Sequence, residues 1–382
     1  MCTTVYDFAI IGAGAAGIHL ALAMQEDSFF LDKKILILEK DAKNINDKTW
    51  CFWEAGKGKW DALLEHTWEN GIVHTGDKEI QLDIGDYNYK MIRSLDFYDY
   101  GLEKLKGDTR FYWFKEEVSE VMSVGDTVMI TAAENSYQAK QVFDSRVSAG
   151  NNEIASANTV LQHFKGWFIE TEEAIFDPNH FTMMDFRLTW KDRNSFTYLL
   201  PFSERSALVE FTFFSPDIVD EAVYDQMLQN YVEQILKPGK FRVTGTESGV
   251  IPMSDYPFHR HNTRQITKIG TAGSWVKPSS GYSFKNAEVF SQKLLTNIKE
   301  GREPSAGIFS QKHRFYDSLF LNILKNKNHL GQSLFSSMYS KNSGEQILRF
   351  LDEETGIRED LKIMAGFDPL LFMQALWAKF RA

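Results

Sequence analysis

The sequence predicts an α/β protein built on a Rossmann-like unit, and three observations carry that prediction. An apolar run of strand length, residues 6–11, leads directly into Gly12-Ala-Gly14-Ala-Ala-Gly17 and then into an apolar helix at 18–24. A second strand, 34–38, ends in Glu39, 22 residues past Gly17, with Lys40 beside it. Far downstream, a strand at 266–270 again gives way to a glycine-rich loop and a helix, 287–298. In the first turn Gly12 permits the tight bend, Gly14 lets backbone approach a pyrophosphate, and Gly17 lets the helix pack close to the strand. The helix N-terminus then faces phosphate. Glu39 sits where a carboxylate accepts hydrogen bonds from ribose hydroxyls.

At 382 residues the chain can bury a substantial core in one large or two intertwined domains. A net charge of −10 argues against the basic stripe of a nucleic-acid binder, so no nucleic-acid partner is expected. The two cysteines, Cys2 and Cys51, make neither a disulfide framework nor a metal spacing; no metal is expected, and a reducing cytosol is the natural compartment. Met1-Cys-Thr-Thr leads straight into the first strand, so no leader is expected. No stretch approaches the roughly 18 apolar residues of a spanning helix. Aromatic residues make up 14% of the chain, with 30 Phe and 9 Trp, which fits a large apolar ligand or an aromatic-rich core.

Between these landmarks the elements follow in order. Asp47-Lys-Thr-Trp-Cys-Phe-Trp-Glu54 is too aromatic for a solvent loop. Read as the loop after the second strand, it puts Trp50, Phe52 and Trp53 at the carboxyl edge of the sheet beside the cofactor, where they line a site or fold onto the core. Residues 80–84 and 90–92 read as short strands, and Arg93, which with Lys40 is a candidate cofactor contact, precedes a helix at 94–105. Segments 110–114, 117–124 and 127–132, with a break at Gly125-Asp126, suggest an antiparallel meander, and 140–146 a strand returning to the first sheet. A meander inserted into a parallel sheet is the layout of two-dinucleotide-fold flavoproteins, so by analogy the expected dinucleotide is FAD.

Segments 166–173, 181–189, 195–203 and 206–215 would form an antiparallel sheet over the cofactor domain, and two carboxylates, Asp185 and Glu210, interrupt its apolar lettering. Alternation puts Leu208, Glu210 and Thr212 on one face and Val209, Phe211 and Phe213 on the other. If the second face is the core, Glu210 points toward solvent or a cavity. An amphipathic helix at 219–236 stops at Pro238-Gly239, and 249–253 is a short strand. In the loop after the 266–270 strand, backbone at Gly270, Gly273, Gly281, Tyr282 and Ser283 could hold a flavin ring or phosphate. From Arg302 the chain reads as four or five helices, clearest at 314–324, 344–350, 358–364 and 368–380. The expected division is a discontinuous FAD-binding domain (1–160 and 245–300), an antiparallel-sheet substrate domain (161–244) and a C-terminal helical region (301–382).

Over nearly its whole length the chain resembles the bacterial lycopene cyclases of the flavoprotein type, relatives of plant lycopene β-cyclase. The motifs that carry the resemblance are Asp47-Lys-Thr-Trp-Cys-Phe-Trp53, Met184-Asp-Phe186, Pro201-Phe-Ser203, Leu208-Val-Glu-Phe-Thr212, Gly249-Val-Ile-Pro-Met253 and Pro278-Ser-Ser-Gly-Tyr-Ser283. The resemblance implies FAD, kept reduced by NADPH or NADH, in a reaction with no net redox change. It maps the family's essential glutamate onto Glu210; Asp185 is the second catalytic candidate. The implied substrate is lycopene, whose linear ψ end groups would become β-ionone rings by protonation, attack of a neighbouring double bond on the tertiary cation, and loss of a ring proton.

Such chemistry needs a carboxyl still protonated near neutral pH, and apolar surroundings supply one by raising its pKa. Walls such as Trp50, Phe52, Phe211 and Phe213 would stabilise the cation through their π-faces. A lipid-soluble substrate further implies a cytoplasmic protein peripheral to the inner face of the cell membrane, with residues 370–377 as the expected contact. Two departures from the family pattern stand out: Trp275-Val-Lys277 replaces an aromatic-His pair, and the acidic motif has one glutamate, which leaves Glu210 no obvious neighbouring acid. Two other readings share the fingerprint, a FAD-dependent hydroxylase or prenyl reductase and a non-catalytic carotenoid-binding flavoprotein. The first usually shows Gly-Asp where this chain has Gly270-Thr271.

Overall fold

A computed structural model describes residues 4–76, 78–147, 157–367 and 369–381; Cys2 and Asp368 lie outside them. The first sheet contains β1 (Val5–Ile11), β2 (Ile35–Glu39), β8 (Phe111–Lys115), β9 (Val118–Val124), β10 (Thr127–Ala132), β11 (Ser136–Asp144) and β17 (Ile266–Lys268). Its order is β8-β2-β1-β11-β10-β9, with β17 also on β11. Strands β8, β2, β1, β11 and β17 run parallel, whereas β9, β10 and β11 form an antiparallel meander. The expected meander therefore loses its first member. Segment 111–115 follows helix α2 (Ser94–Lys106) and returns parallel to β2, as a helical crossover requires. Helix α1 (Ala15–Glu26) is buried from Ala16 to Met24, which explains its continuous apolar lettering.

The second sheet has the order β16-β12-β15-β14-β13-β5-β6. Its strands are β5 (Asn70–Thr75), β6 (Lys78–Leu82), β12 (Thr159–Thr171), β13 (His180–Asp185), β14 (Ser195–Ser203), β15 (Ser206–Ser215) and β16 (Phe241–Ser254). All pairs are antiparallel except β5 with β13. This sheet is wider than the 161–244 segment expected for it: it recruits β5 and β6, and the 14-residue β16 runs on to Ser254. Helix α3 (Glu221–Tyr231) packs on one face, where Val209, Phe211 and Phe213 meet Tyr224, Met227 and Leu228.

The aromatic 47–54 segment is not a loop. Its core is β3 (Thr49–Ala55), which pairs with β7 (Tyr87–Arg93), which in turn pairs with β4 (Leu64–Trp68). Helix α4 (Phe284–Lys299) packs on α1, and the C-terminal helices are α5 (Gln311–Asn326), α6 (Gly331–Lys341), α7 (Gly344–Leu351), α8 (Ile357–Met364) and α9 (Pro369–Arg381). Among the described residues five α-helices follow Arg302, within the four or five expected; the one not located in the sequence is α6, although its buried Leu334, Phe335, Met338 and Tyr339 have helical spacing. A Ser343/Gln346 capping box starts α7. Lys277, the departure from the aromatic-His pattern, is buried and bridges Asp317 on α5 (3.0 Å) and Glu353 (2.8 Å), tying the glycine-rich loop to these helices. Among the described residues no helix is long and apolar enough to cross a membrane, and no cluster of three or more His, Cys, Asp or Glu is placed to hold a metal.

Candidate active site

A cavity of about 520 Å³, in the range of small-molecule sites, connects the glycine turn to the second sheet. Gly14, Ala15, Ala16 and Gly17 line one end. No side chain caps the N-terminus of α1, so its first-turn N–H groups are available to an anion. The glycines divide their tasks. Gly12 has φ +90°, and a Cβ there would lie 2.0 Å from Ser145 Oγ. At Gly17 it would lie 2.0 Å from the Gly12 carbonyl oxygen, so that glycine serves helix packing. At Gly14 a Cβ would meet nothing within 4 Å, which is the open approach a pyrophosphate needs.

Glu39 is buried at the end of β2 and accepts the Ala13 N–H (2.5 Å) and the Asp41 N–H (2.9 Å). It secures the glycine turn and does not itself line the cavity, although lone pairs remain for a ribose. Lys40 is exposed and lies 3.7 Å from Glu117, away from the cavity. Lys43, 3.8 Å from Glu39, and Lys48 line it instead, and sequence reasoning named neither. Arg93 is also not a lining residue; it pairs with Glu65 (3.1 Å) beneath the ring of Phe168. From the second glycine loop, Gly270, Gly281, Tyr282 and Ser283 do line the cavity. Gly273 does not, because it packs inside the turn, where a Cβ would lie 2.4 Å from the Lys268 carbonyl oxygen. Ser279 Oγ, Ser280 Oγ and Trp275 Nε1 are buried cavity-lining groups without a protein partner, available to a polar ligand such as a flavin dinucleotide. The turn, the uncapped helix and these unpaired groups fit FAD.

At the other end Leu208, Glu210, Thr212 and Phe214 face the cavity from β15, with Phe196 and Tyr198 from β14. Glu210 is buried and accepts the Thr212 hydroxyl at 2.6 Å. Burial, then the nearby Glu247 carboxylate, push its pKa up to about 8, against the opposing pull of Thr212. Tyr89 joins Tyr198 (2.6 Å) and Tyr282 (2.7 Å) in a chain of hydroxyls beside it. The sequence reading named Tyr282 only as a cofactor contact. It also missed Glu247, which faces the cavity from β16, two residues before the motif Gly249–Met253.

Several predicted residues lie elsewhere. Phe211 and Phe213 point into the core beneath α3, on the opposite face from Glu210, so they do not line this cavity. The strand alternation already required this. Trp50 is a lining residue, stacked on Phe284 at 5.3 Å. Phe52 is buried against Phe284 behind it, and Trp53 packs edge-on behind Tyr282 at 4.7 Å. Asp185 is fully buried on the α3 side, where it accepts the Tyr231 hydroxyl (2.7 Å) and pairs with Arg187. It forms an ion pair and does not line the cavity, although Met183 and Met184 beside it do, which corrects its placement as a cavity-facing catalytic group. Asp185→Asn should lower folding stability by about 1–2 kcal/mol, because the Tyr231 hydroxyl and Arg187 lose a charged acceptor while the partly exposed guanidinium stays solvated. Chemical denaturation would read that loss, and turnover per folded, flavin-loaded molecule should stay at the parent value.

A parallel-stranded sheet with an inserted meander, a glycine turn at a helix N-terminus and a second sheet closing an apolar cavity define the class: this is an α/β protein with the FAD-binding flavoprotein fold. Solved structures share that fold along the chain. A geranylgeranyl bacteriochlorophyll reductase-like protein of Thermoplasma acidophilum is 13% identical, with a TM-score of 0.63 over 97% of this chain and 98% of that one. For the flavin-dependent brominase Bmp2 the values are 15%, 0.60, 99% and 100%. For HpxO of Klebsiella pneumoniae, solved with FAD, they are 13%, 0.63, 91% and 98%. The lycopene cyclase protein family matches residues 7–376, and the chain belongs to that family. No curated protein sequence matches it significantly.

Proposed function

We propose that the protein is a lycopene β-cyclase that converts linear ψ end groups to β-ionone rings by acid–base chemistry, without net redox change. The observation that carries this reading is Glu210, a buried carboxyl raised to about 8 that faces an apolar cavity continuous with the glycine turn. At neutral pH it holds its proton and can give it to an alkene carbon. Phe196, Tyr198 and Phe214, which line the cavity from the same sheet as Glu210, and Trp50 are among the lining aromatics that could stabilise the resulting cation. Reduced FAD, regenerated by NADPH or NADH, would supply negative charge that stabilises the cation. Gly14, the first turn of α1, Ser279 and Ser280 would hold it.

A second reading, a FAD-dependent prenyl reductase or hydroxylase, draws on the full-length likeness to the reductase-like protein. Anaerobic incubation with FAD, NADPH and lycopene separates the two. A cyclase leaves the product mass equal to that of lycopene and consumes no stoichiometric NADPH. A reductase adds two hydrogens per NADPH, and a hydroxylase requires oxygen.

The proposal includes peripheral attachment to the cytoplasmic membrane face, since the substrate dissolves in lipid. Within the expected contact, Leu371 and Phe372 are half-buried and Phe372 lines the cavity, whereas Met373 and Trp377 are 65% and 60% exposed. The lipid-facing groups on α9 are thus Met373 and Trp377. Replacing both with Asp should cut liposome co-flotation at least several-fold while lycopene turnover in detergent persists; unchanged flotation would exclude this helix as the contact.

A further inference from the structure

A row of side chains crosses the second sheet at Glu210. Tyr198 on β14 stands directly opposite it on one side. On the other side Gly166 of β12 is in register with both Glu210 and, on the far strand β16, Glu247. Cross-strand partners point to the same face, so Glu210 and Glu247 flank a position that has no side chain. A Cβ at Gly166 would lie 3.2 Å from Glu247 Cγ and 3.5 Å from Glu210 Cβ, so Glu247 leans over the glycine toward Glu210. Both carboxyls line the cavity.

We propose that Glu247 is the general base of the ring closure, and that Glu210 and Glu247 work as a proton-sharing pair set face to face across Gly166. The neighbours polarise the pair. Burial raises the Glu247 carboxyl above the usual carboxylate range, but the Thr49 hydroxyl it accepts at 2.5 Å and the charges of Arg93 and Lys48 pull it back toward the ionised form. Glu210 faces no cation; Tyr198, Tyr282 and Cys51 beside it all have burial-raised pKa values and stay neutral. Both carboxyls are raised, but only Glu247 has cations drawing it back, so of the two Glu210 holds the proton more firmly and Glu247 ionises first. In one cycle Glu210 gives its proton to an alkene carbon of the end group, leaving a tertiary cation. The neighbouring double bond supplies the electron pair for the new ring bond and moves the cation into the ring. Glu247 removes a ring proton, the vacated C–H pair becomes the ring double bond, and proton transfer from Glu247 to Glu210 restores the pair. No electrons enter or leave.

This inference rests on the cyclase reading for its substrate, but the pair can be tested without turnover. Infrared titration of carboxyl C=O bands in the flavin-loaded protein should show a protonated carboxyl near neutral pH that disappears in Glu210→Gln. In Glu247→Gln the Glu210 band should titrate at least about one pH unit lower, because the neighbouring negative charge is gone. Ring formation should fall at least about 100-fold in that variant with full flavin occupancy, and Glu247→Asp should recover part of it. Gly166→Ala, whose Cβ would crowd Leu208 Cδ1 at 2.8 Å, should move both readouts the same way by separating the carboxyls. An unchanged Glu210 titration in Glu247→Gln overturns the pair. If the titration shifts but the parent protein leaves lycopene untouched, the pair stands and the substrate assignment fails.

Discussion

Glu210→Gln is expected to reduce ring formation by about 10²- to 10⁴-fold, the loss typical of removing a general acid, and to leave flavin occupancy unchanged. Glutamine keeps the shape of the side chain and can still accept the Thr212 hydroxyl bond of 2.6 Å, so packing in the strand is preserved. What disappears is the acidic proton. In the parent enzyme Glu210 must be protonated to act, so the rate should fall as pH rises through about 8, where the carboxyl ionises. In D₂O solvent deuterium should appear on the new rings, reaching one deuteron per ring when the Glu210–Glu247 pair exchanges with solvent between turnovers and less when the abstracted proton is returned directly. The flavin should remain reduced over many turnovers. Near-parent turnover by Glu210→Gln, or NADPH consumed one for one with product, would remove the acid–base mechanism and leave the redox reading.

The legibility of this chain followed the range of the interactions involved. The glycine turn, α1 and β2 were readable because their signals are local: residue spacing, the absence of Cβ atoms, and apolar runs of element length. The face of Glu210 was readable too, since alternation on β15 needs no partner strand. That same alternation excluded Phe211 and Phe213 from the cavity, so naming them as its walls contradicted information already available. Asp185 was misread for a different reason. A carboxylate two residues before an arginine looks the same in sequence whether it faces a substrate or a buried tyrosine, and Tyr231 enters only through packing of α3. Glu247 was invisible because its meaning depends on register. It lies 37 residues from Glu210 along the chain and meets it only because Gly166 is aligned with both. The 47–54 segment looked like a loop because its pairing partner, β7, begins more than 30 residues later.

Gly14→Val should abolish stable flavin binding, weakening it at least about 100-fold, or roughly 2.7 kcal/mol, while the protein stays folded. Of the three fingerprint glycines, only Gly14 permits so clean a test. At Gly12 a side chain would be strained by a φ of +90° and would collide with Ser145, and at Gly17 it would drive against the Gly12 carbonyl. Loss of flavin in either variant could follow from damage to the turn. Gly14 has φ −77° and ψ −166°, which other residues adopt, and a Cβ there meets no protein atom within 4 Å. The valine methyl groups would therefore project into the space beside the first turn of α1, where the pyrophosphate must approach the backbone N–H groups. Gly14→Ala, which adds one carbon to the same space, should fall between parent and valine. Circular dichroism and the melting temperature of the flavin-free proteins should agree among all three, because the substituted group touches nothing that holds the fold together. A Gly14→Val protein that purifies with a full complement of flavin would show that the dinucleotide does not pass this turn, and the cofactor assignment for this end of the cavity would have to be abandoned.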